Sequence, residues 1–208
     1  IIDKSYPENQ NLENYRDFAL YFQDEDNILG TSFMPYLQNV AGLTGVNYRL
    51  EPWTYREDEG CELGNMFTAC VAADQEPATP ILKAHAGDRV MVNIFGAHNE
   101  QNQMFNMDGH QWRRHLNQKG SDMIDVQQFG GGEYIQAFVN AGGSYSNPGT
   151  YLWLNARTPY QQAGQWGYFK VLPGGDRSIL PLGGAAAPKA GKTASKGAGD
   201  DVLSMNKQ

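Results

Sequence analysis

The stretch TPILKAHAGDRVMVNIF, residues 79–95, decides the fold class of this 208-residue chain. Two apolar runs flank the turn sequence Ala-Gly-Asp, and in the second run Val90, Val92 and Ile94 occupy every other position. Side chains of a strand point alternately to its two faces, so this spacing predicts a strand with one buried face. The stretch therefore predicts two strands joined by a tight turn.

The same alternation recurs along the chain. It is found in residues 16–23, where Phe18, Leu20 and Phe22 share a face, and in 45–50, 133–139, 149–154 and 167–172. Turn sequences rich in Gly and Asn separate these runs, at 96–103, 129–133 and 140–149. Seven or more short strands with such turns predict an all-β sandwich or barrel.

Residues 1–172 are predicted to form one domain. Within it, residues 26–74 form a long irregular segment with one short helical possibility at 34–43 and an acidic run at 56–62 that we interpret as a solvated loop. Residues 173–208 are rich in Pro, Gly, Ala and Lys and bury too little apolar surface to fold alone. We expect a tail or linker that is ordered only where it lies on another surface.

The net charge of −7 restricts the partners of the chain. Residues 173–208 hold five basic and three acidic side chains, so residues 1–172 carry 11 basic against 20 acidic ones. An acidic body disfavours nucleic acid and anionic lipid and favours cations or basic proteins. No apolar run approaches the roughly 18 residues of a membrane span, and the first ten residues lack a signal-peptide pattern, so we expect a processed chain without membrane insertion.

The two cysteines, Cys61 and Cys70, are nine positions apart in a Gly-containing segment. The pair lacks a CxxC spacing and a nearby His, which favours a local disulfide over a metal or redox site. Two unconnected buried thiols are the alternative. A disulfide predicts an extracytoplasmic protein, periplasmic or secreted.

Two longer stretches carry a resemblance to a known family. Residues 79–112 and 149–172 resemble the cupredoxin domains of multicopper oxidases, above all the large bacterial enzymes of the manganese-oxidising type, and residues 16–26 and 45–53 resemble further segments of them. The resemblance implies a cupredoxin-like Greek-key β-sandwich. An irregular N-terminal extension and a flexible C-terminal tail would complete the chain.

The family binds copper through a His-x-x-His-x-His-Gly-His motif and a later His-Cys-His motif, and here both differ. When this sequence is aligned with the two motifs, the copper-ligand positions are occupied by other residues: Gln103, Asn106, Asp108, Leu154, Asn155, Ala156, Tyr160 and, at the axial position, Gln165. Only Gly109 and His110 are retained. Amide oxygens bind copper weakly, and Leu and Ala not at all. The resemblance therefore implies a domain without either copper centre and without catalytic residues.

Four histidines remain, at His85, His98, His110 and His115. A single His near a turn is usually a hydrogen-bonding surface group, and we interpret each of them in this way. A residual metal site formed by His98, Asp108 and His110 is the alternative. The adjacent Arg113 and Arg114 are interpreted as a solvated pair with one inward salt bridge rather than as an anion site.

Two functions follow. In the first, the chain is a non-catalytic, cofactor-free structural or interaction subunit whose partners are other cupredoxin-like domains or chains of a larger assembly. In the second, it is a metal-binding oxidase subunit that handles copper or Mn(II) through His98, Asp108 and His110 with Glu100 and Asp122. A carbohydrate-binding sandwich that uses exposed aromatic side chains is a third, weaker alternative.

Overall fold

The computed structural model describes residues 14–24, 44–58, 60–68 and 76–182, and these are mostly strands. The strands are β1 (Arg16–Asp24), β2 (Gly45–Val46), β3 (Leu82–His85), β4 (Arg89–Asn99), β5 (Gln103–Met107), β6 (Trp112–Arg113), β7 (Met123–Ile124), β8 (Val126–Phe129), β9 (Tyr134–Asn140), β10 (Gly149–Asn155) and β11 (Trp166–Leu172). Two short helices, α1 (Trp53–Asp58) and α2 (Thr158–Gln162), interrupt them. The expected all-β fold is confirmed.

The strands form two sheets and one hairpin. The first sheet has the order β2-β1-β4-β9, the second β3-β11-β10-β5-β8, and β6 pairs with β7. The pairs β1–β4 and β3–β11 are parallel, and the other pairs are antiparallel. Each parallel pair joins strands that are far apart in the sequence, β1 with β4 in the first sheet and β3 with β11 in the second.

The core lies between the two sheets, as in a sandwich. Leu20 and Phe22 of the first sheet pack against side chains of the second sheet that include Phe105 and Trp153. These four named side chains are fully buried. Phe22 lies edge-on to the rings of Phe105 and Trp153. Gly167 is opposite Trp153 in the register, and a Cβ there would lie 2.4 Å from the indole ring. The bulk of the indole therefore requires glycine on the neighbouring strand.

The stretch at 79–95 folds as its alternation predicts. Val90, Val92 and Ile94 are fully buried. The turn between β3 and β4 is closed by the amide of Asp88, which donates to the carbonyl of His85 over 2.9 Å. Gly87 has a φ of +83°, a conformation that glycine adopts without steric cost.

Residues 45–50 differ from the predicted strand. Only Gly45–Val46 is a strand, because Asn47 and Tyr48 both have positive φ and form a two-residue hairpin turn closed by mutual hydrogen bonds of Val46 and Arg49. The Asn47 side chain then bonds the backbone of β1, accepting from the amide of Tyr21 over 2.7 Å. The pattern of side chains did not reveal the turn.

The acidic run at 56–62 also differs from the predicted solvated loop. Its first residues belong to α1, and although Glu57 and Asp58 are exposed, Arg56 is fully buried. The Arg56 guanidinium pairs with Glu51 at 3.1 Å and lies over the Trp166 ring at 5.2 Å. This cation attaches the segment to the outer side of the second sheet. The possible helix at 34–43 lies outside the described residues.

The described part of the predicted tail, residues 173–182, contacts the body. The carbonyl of Leu180 accepts from Arg16 over 2.7 Å, and the carbonyl of Asp176 lies 2.7 Å from Nε2 of His85. These contacts place the segment over the end of β3. Residues 183–208 lie outside the described ranges.

Candidate functional site

Three of the positions that the resemblance aligns with copper ligands come together inside the sandwich. Gln103 begins β5 on the same face as the buried Phe105, Asn155 ends β10 on the same face as Trp153, and Gln165 directly precedes β11. All three side chains are fully buried. With Asp24, which ends β1 and is 2% exposed, they form what we call the amide cluster.

Hydrogen bonds join every member of the amide cluster. The Asn155 Nδ2 donates both to Gln103 Oε1 and to Gln165 Oε1, the latter over 2.6 Å. The Gln103 Nε2 donates to the Asp24 carboxylate, and Gln165 Nε2 donates to the carbonyl of Gln23 over 2.9 Å. The cluster therefore bonds the end of β1 in one sheet to β5, β10 and β11 in the other.

The remaining oxygen atoms of the amide cluster bind backbone amides. The Asn155 Oδ1 accepts from the amides of Met104 at 3.3 Å and Arg157 at 3.0 Å, and Asp24 Oδ1 accepts from the amide of Glu100 at 2.7 Å. Buried polar groups are costly unless they are bonded, and this cluster meets that requirement.

Asp24 is the member that the sequence analysis missed. It shares the inward face of β1 with Leu20 and Phe22, and the bulge opposite the Phe22–Gln23 step shifts the register of β4 at this end of the strand. A carboxylate that continues a buried strand face is the signal that could have identified it. The sequence alone does not show which amides would meet it.

Tyr160 reaches the amide cluster from α2, whose first turn contains Pro159. Burial, followed by a hydrogen bond to the Asp24 carboxylate, raises the pKa of the Tyr160 phenol to about 12. The Arg157 guanidinium lies 4.9 Å from the Tyr160 ring centroid. Four of the eight positions that the resemblance aligns with copper ligands thus meet at one end of the sandwich.

The other four aligned positions lie apart from the amide cluster. Asn106 and Leu154 are direct partners on β5 and β10, but their side chains point away from the core. Leu154 packs with Trp166 and Tyr168, while Asn106 donates to the carbonyl of Asp125 over 3.0 Å. Asp108 and Ala156 are exposed. These four side chains share no hydrogen bond.

His110 is a buried side chain, not a surface group as expected, and both of its ring nitrogens are hydrogen-bonded. The amide of Gly142 donates to Nε2 over 3.0 Å, so Nε2 is unprotonated and Nδ1 donates to the carbonyl of Asp108 over 2.7 Å. The ring also packs against Tyr151 and Phe169 at 4.7 and 5.1 Å between centroids. Desolvation by burial is the main effect on this imidazole, and it lowers the pKa of His110.

The other histidines belong to different parts of the chain. His85 is buried, not at the surface as expected, and it accepts from Arg16 over 3.1 Å while Arg16 is paired with Asp88 at 2.5 Å. His98 lies in β4 opposite Gln23, and His115 is exposed beyond β6. Within the described ranges no three His, Cys, Asp or Glu side chains form a group that could hold a metal ion.

The remaining predicted residues are Glu100, Asp122 and the two cysteines. Glu100 and Asp122 are both exposed. Cys61 is 6% exposed, and Cys70 lies outside the described residues, so the disulfide stays a prediction.

Comparison with solved structures identifies the architecture. A multicopper oxidase from Pediococcus acidilactici matches 81% of this chain at 8% identity with a TM-score of 0.50, and one from Campylobacter jejuni matches 77% at 11% identity, also with a TM-score of 0.50. The fold is cupredoxin-like. A copper nitrite reductase from Nitrosomonas europaea matches 79% of the chain at 14% identity, with a TM-score of 0.41.

The cupredoxin-like chain spans only part of these enzymes. It covers 28% of the Pediococcus oxidase and 30% of the Campylobacter enzyme. No family model and no curated protein matches the sequence. None of the helices in the described ranges has the length and apolar character that a membrane crossing requires.

Proposed function

We propose that this chain is a non-catalytic, copper-free cupredoxin-like domain that serves as a structural or interaction subunit of a multicopper oxidase-like protein or assembly outside the cytoplasm. One observation carries the proposal. Four of the positions aligned with copper ligands, Gln103, Asn155, Tyr160 and Gln165, meet at one end of the sandwich, but the three amides among them form a closed hydrogen-bonded cluster with the Asp24 carboxylate.

The donor set of the amide cluster does not fit copper. It offers no thiolate and no imidazole, the ligands that a blue-copper centre requires. The Asn155 Nδ2 also points its hydrogens at the oxygen atoms of Gln103 and Gln165, which would otherwise be the nearest ligands. A metal ion there would have to displace a buried donor and leave several polar groups without partners.

The amide cluster instead supports a structural role. Asp24 and Gln23 belong to the first sheet, and the three amides belong to the second, so the cluster closes one end of the sandwich. Each hydrogen bond contributes on the order of 1 kcal/mol when made and costs more when one partner is removed. A rigid domain of this kind is suited to hold neighbouring domains in position.

Other cupredoxin-like domains or chains are the proposed partners. The chain spans about 30% of the Campylobacter oxidase that shares its fold, which is consistent with one piece of a larger oxidase-like body. A local disulfide of Cys61 and Cys70 and an extracytoplasmic location belong to the same proposal, as does the relationship to manganese-oxidising enzymes.

Metal content tests the copper-free function directly. The purified chain is incubated with Cu(II) or Mn(II), dialysed, and measured by elemental mass spectrometry per mole of protein, with His110→Gln as the matched variant. We expect both metals far below one equivalent in both proteins. One equivalent of metal in the natural chain that is lost in His110→Gln would establish the metal-binding alternative and refute the proposal.

The interaction role has its own test. Sedimentation of the chain, alone and mixed with each of the cupredoxin-like domains or chains proposed as its partners, should show a complex with at least one of them. A chain that stays monomeric with every such domain would contradict the role as a subunit.

A further inference from the structure

A cavity of about 570 Å³ lies beside the β6–β7 hairpin, at the end of the sandwich opposite the amide cluster. The hairpin forms one wall, and the start of β4 with the end of β9 forms the other, through Arg89, Val139 and Asn140. The amide cluster, by contrast, lies where β5 begins and where β1 ends. The volume is within the range of about 300–1,000 Å³ that is usual for small-molecule sites.

Part of the lining is apolar. Phe138 of β9 lies on one side, and Leu116 and Met123 of the hairpin lie on the other. Met123 is 53% exposed, which leaves an apolar side chain at the mouth of the cavity. Such walls favour a ligand with an apolar body of comparable size.

Two guanidinium groups add positive charge to the same cavity. Arg89 is half-buried and lies over the Phe138 ring at 5.8 Å, and within the described ranges no carboxylate is paired with it. Arg113 lines the opposite wall, where the carbonyl of Ser121 accepts from its Nη1 over 3.4 Å. Asp125 is the one carboxylate of the lining, and His110 is neutral, so the cavity carries an excess of one positive charge.

This charge is opposite to that of the chain as a whole. The net charge of the protein is −7, so a cavity lined by two arginines and a single carboxylate is a local exception. Arginine binds carboxylates and phosphates through a planar pair of donors, and it does so more strongly where water is partly excluded. The adjacent Arg114, which follows β6, is exposed and does not line the cavity.

We propose that this cavity is a binding site for a small organic anion, an aromatic carboxylate or a close analogue, with its carboxylate between Arg89 and Arg113 and its ring against Phe138. The site goes beyond the proposed structural function, because it shares no residue with the amide cluster and requires no metal. Arg113 would then belong to an anion site, the alternative to the solvated pair in the sequence analysis.

Isothermal titration calorimetry of the full chain with 2-naphthoate tests the site, with the neutral 2-naphthamide as the matched ligand. We expect one equivalent of 2-naphthoate to bind and 2-naphthamide to bind about tenfold or more weakly. Arg89→Met and Arg113→Met should each weaken 2-naphthoate binding by a similar factor. Arg114→Met removes the same charge from the next position and should leave the affinity within about twofold.

A fourth variant keeps the test decisive if an arginine variant fails to fold. Met123→Glu changes an exposed side chain at the mouth, and its carboxylate should weaken 2-naphthoate binding several-fold by repulsion. The proposal is overturned if 2-naphthoate does not bind, if the amide binds equally well, or if Arg114→Met lowers the affinity as much as Arg89→Met and Arg113→Met. None of these outcomes depends on whether the chain binds copper.

Discussion

Side chains on the inward face and on the outward face of the same strands differ greatly in burial and in hydrogen-bond partners. On β5 and β10 the inward Gln103 and Asn155 are fully buried and bonded to one another, while the outward Asn106 and Leu154 have unrelated partners. The inward and outward residues are an odd number of positions apart, one on β10 and three on β5, so they lie on opposite faces. Position in the pleat therefore decides whether aligned positions act as a unit, and each prediction below tests the contrast between these two faces.

Restoring ligands on the inward face should have the largest effect. The quadruple variant Gln103→His, Asn155→Cys, Tyr160→His and Gln165→Met supplies the imidazoles, thiolate and thioether of a blue-copper centre. Because these positions already meet, we expect copper binding to rise from a trace to one equivalent, with a thiolate-to-copper band in the visible spectrum. The same variant with Asn155→Ser should lack that band.

A folded quadruple variant that binds no copper would show that the inward positions do not keep cupredoxin geometry. Circular dichroism before the addition of metal separates this outcome from a failure to fold.

Removing the central amide should have the next largest effect. Asn155→Leu leaves the oxygen atoms of Gln103 and Gln165, and two backbone amides, without partners in the interior. We expect the free energy of unfolding to fall by about 3–5 kcal/mol. Urea unfolding followed by fluorescence measures it, and a loss below about 1 kcal/mol would contradict the account of the cluster.

Tyr160 gives the amide cluster a pH dependence. Its phenol has a pKa of about 12 in the folded chain and near its usual 10 when unfolded, so the unfolded chain releases this proton first. The phenol therefore contributes fully to the free energy of unfolding below about pH 10, and this contribution is lost as the pH rises toward about 12. Tyr160→Phe should cost about 1 kcal/mol at neutral pH and reduce this alkaline loss.

Stability measured in urea between pH 8 and 12 checks the Tyr160 prediction. Equal alkaline slopes for the natural chain and Tyr160→Phe would show that the phenol does not differ between the folded and unfolded states.

The outward face should give the smallest effect. Asn106→Ala removes one bond to the carbonyl of Asp125, at a side chain that water partly reaches. We expect a loss of about 0.5 kcal/mol or less in the same urea experiment. A loss equal to that of Asn155→Leu would remove the distinction between the two faces.

The alternation of apolar residues predicted most of the sandwich from the sequence. Val90, Val92 and Ile94 mark their strand because half-buried strands repeat every two residues. The turn at Asn47 and Tyr48 escaped notice because its positive φ values leave no apolar signature. Arg56 was assigned to a solvated run, since sequence does not show that Glu51 and Trp166 would surround it.

The candidate site was predictable in its positions but not in its chemistry. The resemblance selected Gln103, Asn155 and Gln165, yet it gave no reason for them to bond one another. Asp24 is 79 positions from Gln103 in the sequence, and only the parallel pairing of β1 with β4 brings this end of β1 to the cluster. Long-range pairing of this kind is not visible in local patterns.

That pairing also bears on the order of events in folding. Gln165 bonds Gln23 across 142 positions, and β1 lies beside β4 across more than 70, so these contacts close very large loops. Domains dominated by such contacts fold slowly, typically in milliseconds to seconds. Because the amide cluster requires both sheets to be in place, we expect it to form after the transition state, so that its loss accelerates unfolding and leaves the folding rate nearly unchanged.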